Sequence, residues 1–117
     1  MKLAIIGSRN LQINNIEQYI TDAVTEIVSG GAKGIDSCAA EFALSKGIAF
    51  KEFLPDYKKH GKAAPVIRNK EIVNYSDAIL AFWDGKSRGT KNVIDYCKKS
   101  NKPLHIIILP TGESNDK

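Results

Sequence analysis

The sequence is poor in the residue types that mark export, metal binding and membrane insertion. It has two cysteines and two histidines in 117 residues, and neither cysteine belongs to a CxxC or Cys/His cluster. No apolar run reaches transmembrane length, and the N-terminus lacks a signal-peptide pattern. We therefore expect reduced core thiols at Cys38 and Cys97, a cytoplasmic location, and neither a membrane nor a metal ion as a partner.

The remaining composition is that of one globular domain. With 43% hydrophobic and 26% charged residues, a chain of 117 residues suffices for a single core. The formal net charge of +4 suits an anionic partner, although lysines spread over a solvated surface give the same value. We expect one domain over residues 1–109 and a disordered polar tail over residues 110–117.

Short apolar runs alternate with helical patterns along the chain. We predict strands at residues 2–6, 26–28, 48–54, 78–83 and 104–109. We predict helices from Ile16 to about Thr25, from Ile35 to just before Gly47, from Pro65 past Val73, and from about Val93 to Lys99. This alternation predicts an α/β fold with a five-stranded parallel sheet, strand order 3-2-1-4-5, and helices on both faces.

The stretch from Ser29 to Asp36, Ser-Gly-Gly-Ala-Lys-Gly-Ile-Asp, joins a predicted strand to a predicted helix. Gly30, Gly31 and Gly34 let the backbone adopt positive φ and approach a ligand closely, and the unpaired N–H groups of a helix start attract phosphate. An ordinary tight turn is the alternative interpretation. We predict that this turn cradles an anion.

Other polar segments also follow predicted strands, and parallel sheets bind ligands where the strands end. On the third helix, Arg68 precedes Asn69, which shares the inward face of its helix and therefore needs a polar partner; the alternative is that Asn69 only ties a loop to the sheet. Tyr57 or Trp83 would stack on a base, unless they belong to the core. The predicted ligand-binding residues are Gly7, Ser8, Arg9, Ser29, Gly30, Gly31, Ala32, Lys33, Gly34, Asp36, Tyr57, Lys62, Arg68, Asn69, Trp83, Asp84, Ser87, Arg88, Gly89 and Thr90.

These motifs resemble those of the SLOG superfamily, which groups the SMF/DprA proteins with the LOG proteins. Gly7-Ser8-Arg9, the Ser29–Asp36 turn and Arg68-Asn69 are similar to the DprA core. The small stand-alone YspA-like proteins are the closer resemblance, through Asp56-Tyr57, residues 61–64, Arg68-Asn69 and residues 82–90. The resemblance covers Met1 to about Leu109. It implies a Rossmann-like fold and recognition of a nucleotide or an ADP-ribose-derived signal.

The chain departs from the LOG phosphoribohydrolases at one informative position. Their Gly-Gly-x-Gly-Thr-x-x-Glu turn ends in a catalytic glutamate, and Val93 stands at that position here. Cleavage of an N-glycosidic bond needs a carboxylate near the ribose. Asp36 or Asp84 would have to supply it, and each is better explained as a residue that caps a helix start or a turn.

The sequence therefore favours a binding protein that senses or sequesters a nucleotide-type small molecule, without a cofactor. The alternatives are a LOG-like nucleotide phosphoribohydrolase or N-glycosidase and a DprA-like binder of single-stranded DNA, and nucleic acid is the less favoured partner. A homodimer or higher homo-oligomer is compatible with helix faces of this kind, although no stripe of residues selects one.

Overall fold

The computed structural model describes residues 1–13, 15–31 and 34–109. Asn14, Ala32, Lys33 and the predicted disordered tail at residues 110–117 lie outside the described residues. The strands are β1 (Lys2–Gly7), β2 (Glu26–Ser29), β3 (Ala49–Glu52), β4 (Ala78–Trp83) and β5 (Leu104–Ile108). The helices are α1 (Ile35–Lys46), α2 (Tyr57–His60), α3 (Ala64–Tyr75) and α4 (Arg88–Lys99), with short 3₁₀ helices at Ile16–Tyr19 and Gly61–Ala63.

The five strands form one parallel sheet in the order β3-β2-β1-β4-β5. The predicted fold class and strand order are confirmed. The chain moves outward from β1 in one direction through β2 and β3 and then returns to the other side of β1 through β4. The strand order therefore reverses between β1 and β4, which is where a parallel sheet opens a crevice at its carboxyl edge.

The position of β1 at the centre of the sheet explains why the sequence of this strand is a continuous apolar run. Leu3 and Ile5 pack on one face of the sheet with α1 and the segment before β2. Ala4 and Ile6 pack on the opposite face with α3 and α4. Because successive side chains of a strand point to opposite faces, a strand covered on both sides needs apolar residues at every position.

The prediction of a helix from Ile16 to about Thr25 was wrong. The structure has a single 3₁₀ turn there, and Ile20 has extended backbone angles of φ −115° and ψ 122°. The Thr21 hydroxyl accepts the Ala23 N–H, and the Thr25 N–H donates to the Met1 carbonyl at 2.9 Å. β-Branched residues and local hydroxyl acceptors weaken a helix, so the backbone pairs with the start of β1 instead.

The remaining boundaries differ by a few residues from those predicted. The basic connection after β3 contains α2, whose start is capped by Asp56, since its carboxylate accepts the Lys59 N–H at 3.1 Å. Helix α4 starts at Arg88, before the predicted start near Val93. Helix α1 ends just before Gly47, as predicted, and Gly47 has the left-handed backbone conformation. Among the described residues, no helix has both the length and the apolar character needed to cross a bilayer.

Candidate functional site

A cavity of about 460 Å³ lies at the carboxyl edge of the sheet, where the strand order reverses. The ends of β1, β2 and β4 contribute to it, together with the first turns of α1, α3 and α4. Its volume falls in the range of roughly 300 to 1,000 Å³ that small-molecule sites occupy. The predicted site residues that line it are Gly7, Ser8, Arg9, Gly30, Asp36, Arg68, Asn69, Asp84, Ser87, Gly89 and Thr90.

Ser8 lines the cavity and links the ends of strands β1 and β4. This side chain is buried, with 2% of its surface exposed. Its hydroxyl accepts the Asp84 N–H at 3.3 Å and lies 3.5 Å from the hydroxyl of Thr90. The end of β1 is thereby tied both to the segment after β4 and to the first turn of α4. These bonds fix the two elements between which the sheet opens.

Arg68 supplies the half-buried cation of the cavity. Its Nη1 donates to the Gly30 carbonyl at 2.7 Å, and its Nε donates to Asn69 Oδ1 at 2.9 Å. Burial lowers the pKa of this guanidinium, while the negative charge of Asp36 raises it and the positive charge of Arg9 lowers it again. A guanidinium keeps its proton throughout the physiological range, so the cavity holds a fixed positive charge.

The described glycines of the turn after β2 contact other groups of the protein. Gly31 and Gly34 have the positive φ angles, 78° and 75°. The Gly31 N–H donates to Ser29 Oγ at 3.3 Å, and a Cβ on Gly34 would lie 2.5 Å from the Leu11 carbonyl oxygen. Packing and turn geometry thus account for both glycines, and within the turn Gly30 is the glycine that lines the cavity.

The first turn of α4 presents a different glycine to the same cavity. Ser87 caps this helix, because its hydroxyl accepts the Thr90 N–H at 3.4 Å. Gly89 follows, and a Cβ added to it would meet no atom within 4 Å. Gly89 is also not one of the described glycines that have a positive φ angle. Neither packing nor backbone conformation therefore requires glycine at this position.

The carboxylates of the cavity occupy distinct environments. Asp84 Oδ1 accepts the N–H groups of Lys86 at 2.8 Å and of Ser87 at 2.7 Å. These two backbone bonds lower the pKa of Asp84, so it is an anion at neutral pH that holds the turn before α4. Asp36 is buried in the first turn of α1, with 6% of its surface exposed, and interacts electrostatically with Arg68.

Several predicted residues do not line the cavity. Trp83 is half-buried against the core, and its ring N–H donates to the Ser87 carbonyl at 3.0 Å, which fits the core interpretation. Tyr57 is 59% exposed at the start of α2. The other predicted residues that are described but lie off the cavity are Ser29, Gly31, Gly34, Lys62 and Arg88, and Ala32 and Lys33 lie outside the described residues.

The sequence reasoning missed residues that the fold brings to the cavity. Asn10 lines it directly after Arg9, and polarity at a strand end was the available signal. Val93, the position of the LOG glutamate, lies in the cavity wall and is buried. Asn92 does not line the cavity, but its side-chain oxygen accepts the amide N–H of the lining residue Asn69 at 3.0 Å. The other lining residues absent from the prediction are apolar: Ile6, Pro65 and Ile72.

The described residues contain no group of three or more histidine, cysteine, aspartate or glutamate side chains that could hold a metal ion. The cavity instead combines two guanidinium groups, two carboxylates, hydroxyls and the start of a helix. Such a set is suited to hydrogen bonding with a polar organic ligand that carries negative charge.

The fold and this site define a parallel α/β protein with a polar crevice at its topological switch point. The model of the family of DNA recombination-mediator protein A matches residues 1–56. The Gene 61 protein of Mycobacterium phage D29 is 34% identical over 84 residues, in an alignment that covers 67% of this chain and 67% of that protein. No solved structure matches. The chain belongs to the SLOG (SMF/DprA) superfamily.

Proposed function

We propose that this protein binds a nucleotide or an ADP-ribose-like molecule in the cavity, and acts as a sensor or a sequestering protein for that ligand. The observation that carries the proposal is the pairing of a half-buried arginine with an accessible helix start in one cavity of about 460 Å³. A phosphate is the group that both features recognise. The likeness to YspA-like proteins in residues 82–90 points to the same ligand class.

Different residues of the cavity are suited to bind different parts of a nucleotide. Arg68 and Arg9 offer charge-assisted hydrogen bonds to phosphate oxygens. The first turn of α4, including Gly89, offers backbone N–H groups and lets a ligand approach closely. Asp36, an acceptor in the cavity wall, suits the hydroxyls of a ribose.

Cleavage of the ligand is the less favoured function. Val93 provides an apolar wall where the LOG resemblance implies a glutamate. Asp84 has a lowered pKa and already accepts two backbone N–H groups, so it is poorly suited to protonate a leaving base. Incubation of the protein with AMP, followed by chromatography, should therefore yield no free adenine above the buffer control.

Binding of single-stranded DNA is the second candidate, and a specific observation favours it. The family model that matches residues 1–56 describes a DNA recombination mediator. The exposed residues of α2 and the following 3₁₀ helix add a basic surface, Lys58, Lys59 and Lys62, outside the cavity. Affinity for an oligonucleotide that falls steeply with salt would favour this function over the nucleotide site.

A thermal-shift comparison of AMP, ADP-ribose and adenosine tests the proposal. A ligand that binds only the folded state at one hundred times its Kd stabilises it by about 2.7 kcal/mol. We expect at least one phosphate-bearing ligand to raise Tm by several degrees and adenosine to have little effect. Equal shifts from AMP and adenosine would remove the argument for a phosphate site.

A further inference from the structure

The orientation of Arg68 depends on side chains from two neighbouring helices. Arg68 and Asn69 lie on α3, and Asn92 lies on α4, which packs beside it on the same face of the sheet. Arg68 Nε donates to Asn69 Oδ1 at 2.9 Å. Asn69 Nδ2 in turn donates to Asn92 Oδ1 at 3.0 Å. These bonds connect the cavity cation to a residue that does not line the cavity.

The direction of each bond in this chain follows from chemistry. A guanidinium has donors and no acceptor, so Asn69 must turn its oxygen toward Arg68. The amide nitrogen of Asn69 is then turned away from Arg68, and this buried donor needs an acceptor. Asn92 supplies that acceptor through its oxygen. Without an acceptor at position 92, the Asn69 amide would keep only its bond to Arg68 Nε and would lose the second bond that opposes its rotation.

We infer that Asn92 is a positioning residue for the ligand site. It holds the Asn69 amide in the orientation that fixes Arg68 Nε, while the Gly30 carbonyl fixes Arg68 Nη1. Two contacts on different nitrogens set the plane of the guanidinium, and the remaining N–H donors of Arg68 are thereby aimed in a constant direction. The relevance of this orientation to binding rests on the proposed function, since a phosphate accepts from a correctly placed planar fork.

The inference that Asn92 positions Arg68 can be tested without any ligand. We would measure, by NMR, the exchange of the Arg68 Nε–H with water in the wild type, in Asn92→Ala and in Asn92→Asp. The aspartate keeps an acceptor oxygen for Asn69 and should retain slow exchange. Asn92→Ala should accelerate exchange by about tenfold or more, because the Asn69 amide is no longer held in place to accept the Arg68 Nε–H. Unchanged exchange in a folded Asn92→Ala protein would overturn the inference.

The consequence for binding is tested by a double-mutant cycle with AMP. In the wild-type background, Asn92→Ala should weaken AMP binding by about three- to tenfold, and in the Arg68→Ala background it should have almost no effect. A merely structural role of Asn92 would lower Tm and affect binding equally in both backgrounds, which would overturn the claim that it acts through Arg68.

Asn74→Ala is the matched control for this cycle. Asn74 is an exposed asparagine near the end of α3 that accepts the Tyr96 hydroxyl at 3.1 Å, away from the cavity. Its replacement should change neither the Nε–H exchange nor AMP affinity. If the wild type binds no nucleotide, the proposed function fails, and the exchange measurement still decides whether Asn92 positions Arg68.

Discussion

Replacement of Gly89 by alanine should raise the stability of the protein and lower its affinity for a nucleotide. Gly89 lies in the first turn of α4, and a Cβ there meets no protein atom within 4 Å. Alanine is favoured over glycine in a helix by as much as about 1 kcal/mol. Since the first turn is less demanding than the helix interior, we expect a gain of roughly 0.5 kcal/mol, which corresponds to about 2 °C in Tm.

The expected effect on binding has the opposite sign. The new methyl group would project where the ligand is proposed to approach the N–H groups of α4. Loss of one charge-assisted hydrogen bond costs roughly 1.5 to 3 kcal/mol, which is a reduction of about tenfold to one hundredfold in affinity. Calorimetric titration with AMP and with ADP-ribose, together with thermal unfolding of the unliganded proteins, measures both quantities.

Asn74→Ala again provides a control, since it also places alanine on a helix but lies away from the cavity. It should leave affinity unchanged. A Gly89→Ala protein that is more stable and still binds the nucleotide with wild-type affinity would refute the reasoning, because the ligand would then make no close approach to α4.

Arg68→Ala should weaken AMP binding by about one to two orders of magnitude and leave the weak binding of adenosine unchanged in the same titration. Asn69→Ala strands a buried hydrogen-bonding partner at a cost of about 1 to 3 kcal/mol, which thermal unfolding should detect as a lower Tm. The folded-state pKa of Asp84 is lowered, so its ionised carboxylate stabilises the folded protein above the ordinary pKa of 3.8, and this stabilisation is lost as the pH falls further. Between pH 5 and about pH 2.5, the free energy of unfolding from denaturant titrations should therefore fall less for Asp84→Asn than for the wild type. Burial raises the pKa of Cys97 to about 11, so a thiol reagent at pH 8 should modify half-exposed Cys38 in the native protein and reach Cys97 only on unfolding.

The sheet and its strand order could be predicted because every strand carries an apolar pattern and because chain connectivity restricts a parallel sheet. The residues before β2 could not be predicted correctly, since Ile16, Ile20 and Val24 have spacing compatible with a helix. The backbone at the end of this segment instead bonds to Met1, since the Thr25 N–H donates to the Met1 carbonyl and the Met1 amino group donates to the Ala23 carbonyl. A contact between positions far apart in the chain overrides a local preference, and periodicity alone does not report it.

The candidate site was predictable as a location more than as a set of contacts. The rule that strand ends gather at one edge correctly brings Ser8, Gly30 and Asp84 to a common cavity. It does not distinguish a glycine that receives a ligand from one that accommodates its own backbone, as Gly34 does beside Leu11. That distinction requires the distances between elements.

Arg68 illustrates a second limit of the sequence reasoning. A residue that lines the site can also brace the fold, and the sequence does not show when one side chain does both. Arg68 lines the cavity and also holds the Gly30 carbonyl at 2.7 Å. We therefore expect Arg68→Ala to lower Tm as well as nucleotide affinity, because the Gly30 carbonyl loses its charged donor. Asn92, which completes the network, carries no sequence signal beyond being polar.

Mapping of amide chemical shifts on addition of ADP-ribose tests the central claim most directly, because it asks where a phosphate-bearing ligand binds. We expect saturable shifts at Ser8, Gly30, Gly89 and Thr90 and at the Arg68 Nε–H. The exposed Ile108 on the edge strand β5 should not shift. Absence of shifts at the cavity residues, or saturable shifts confined to another surface, would contradict the proposal that this cavity binds the nucleotide.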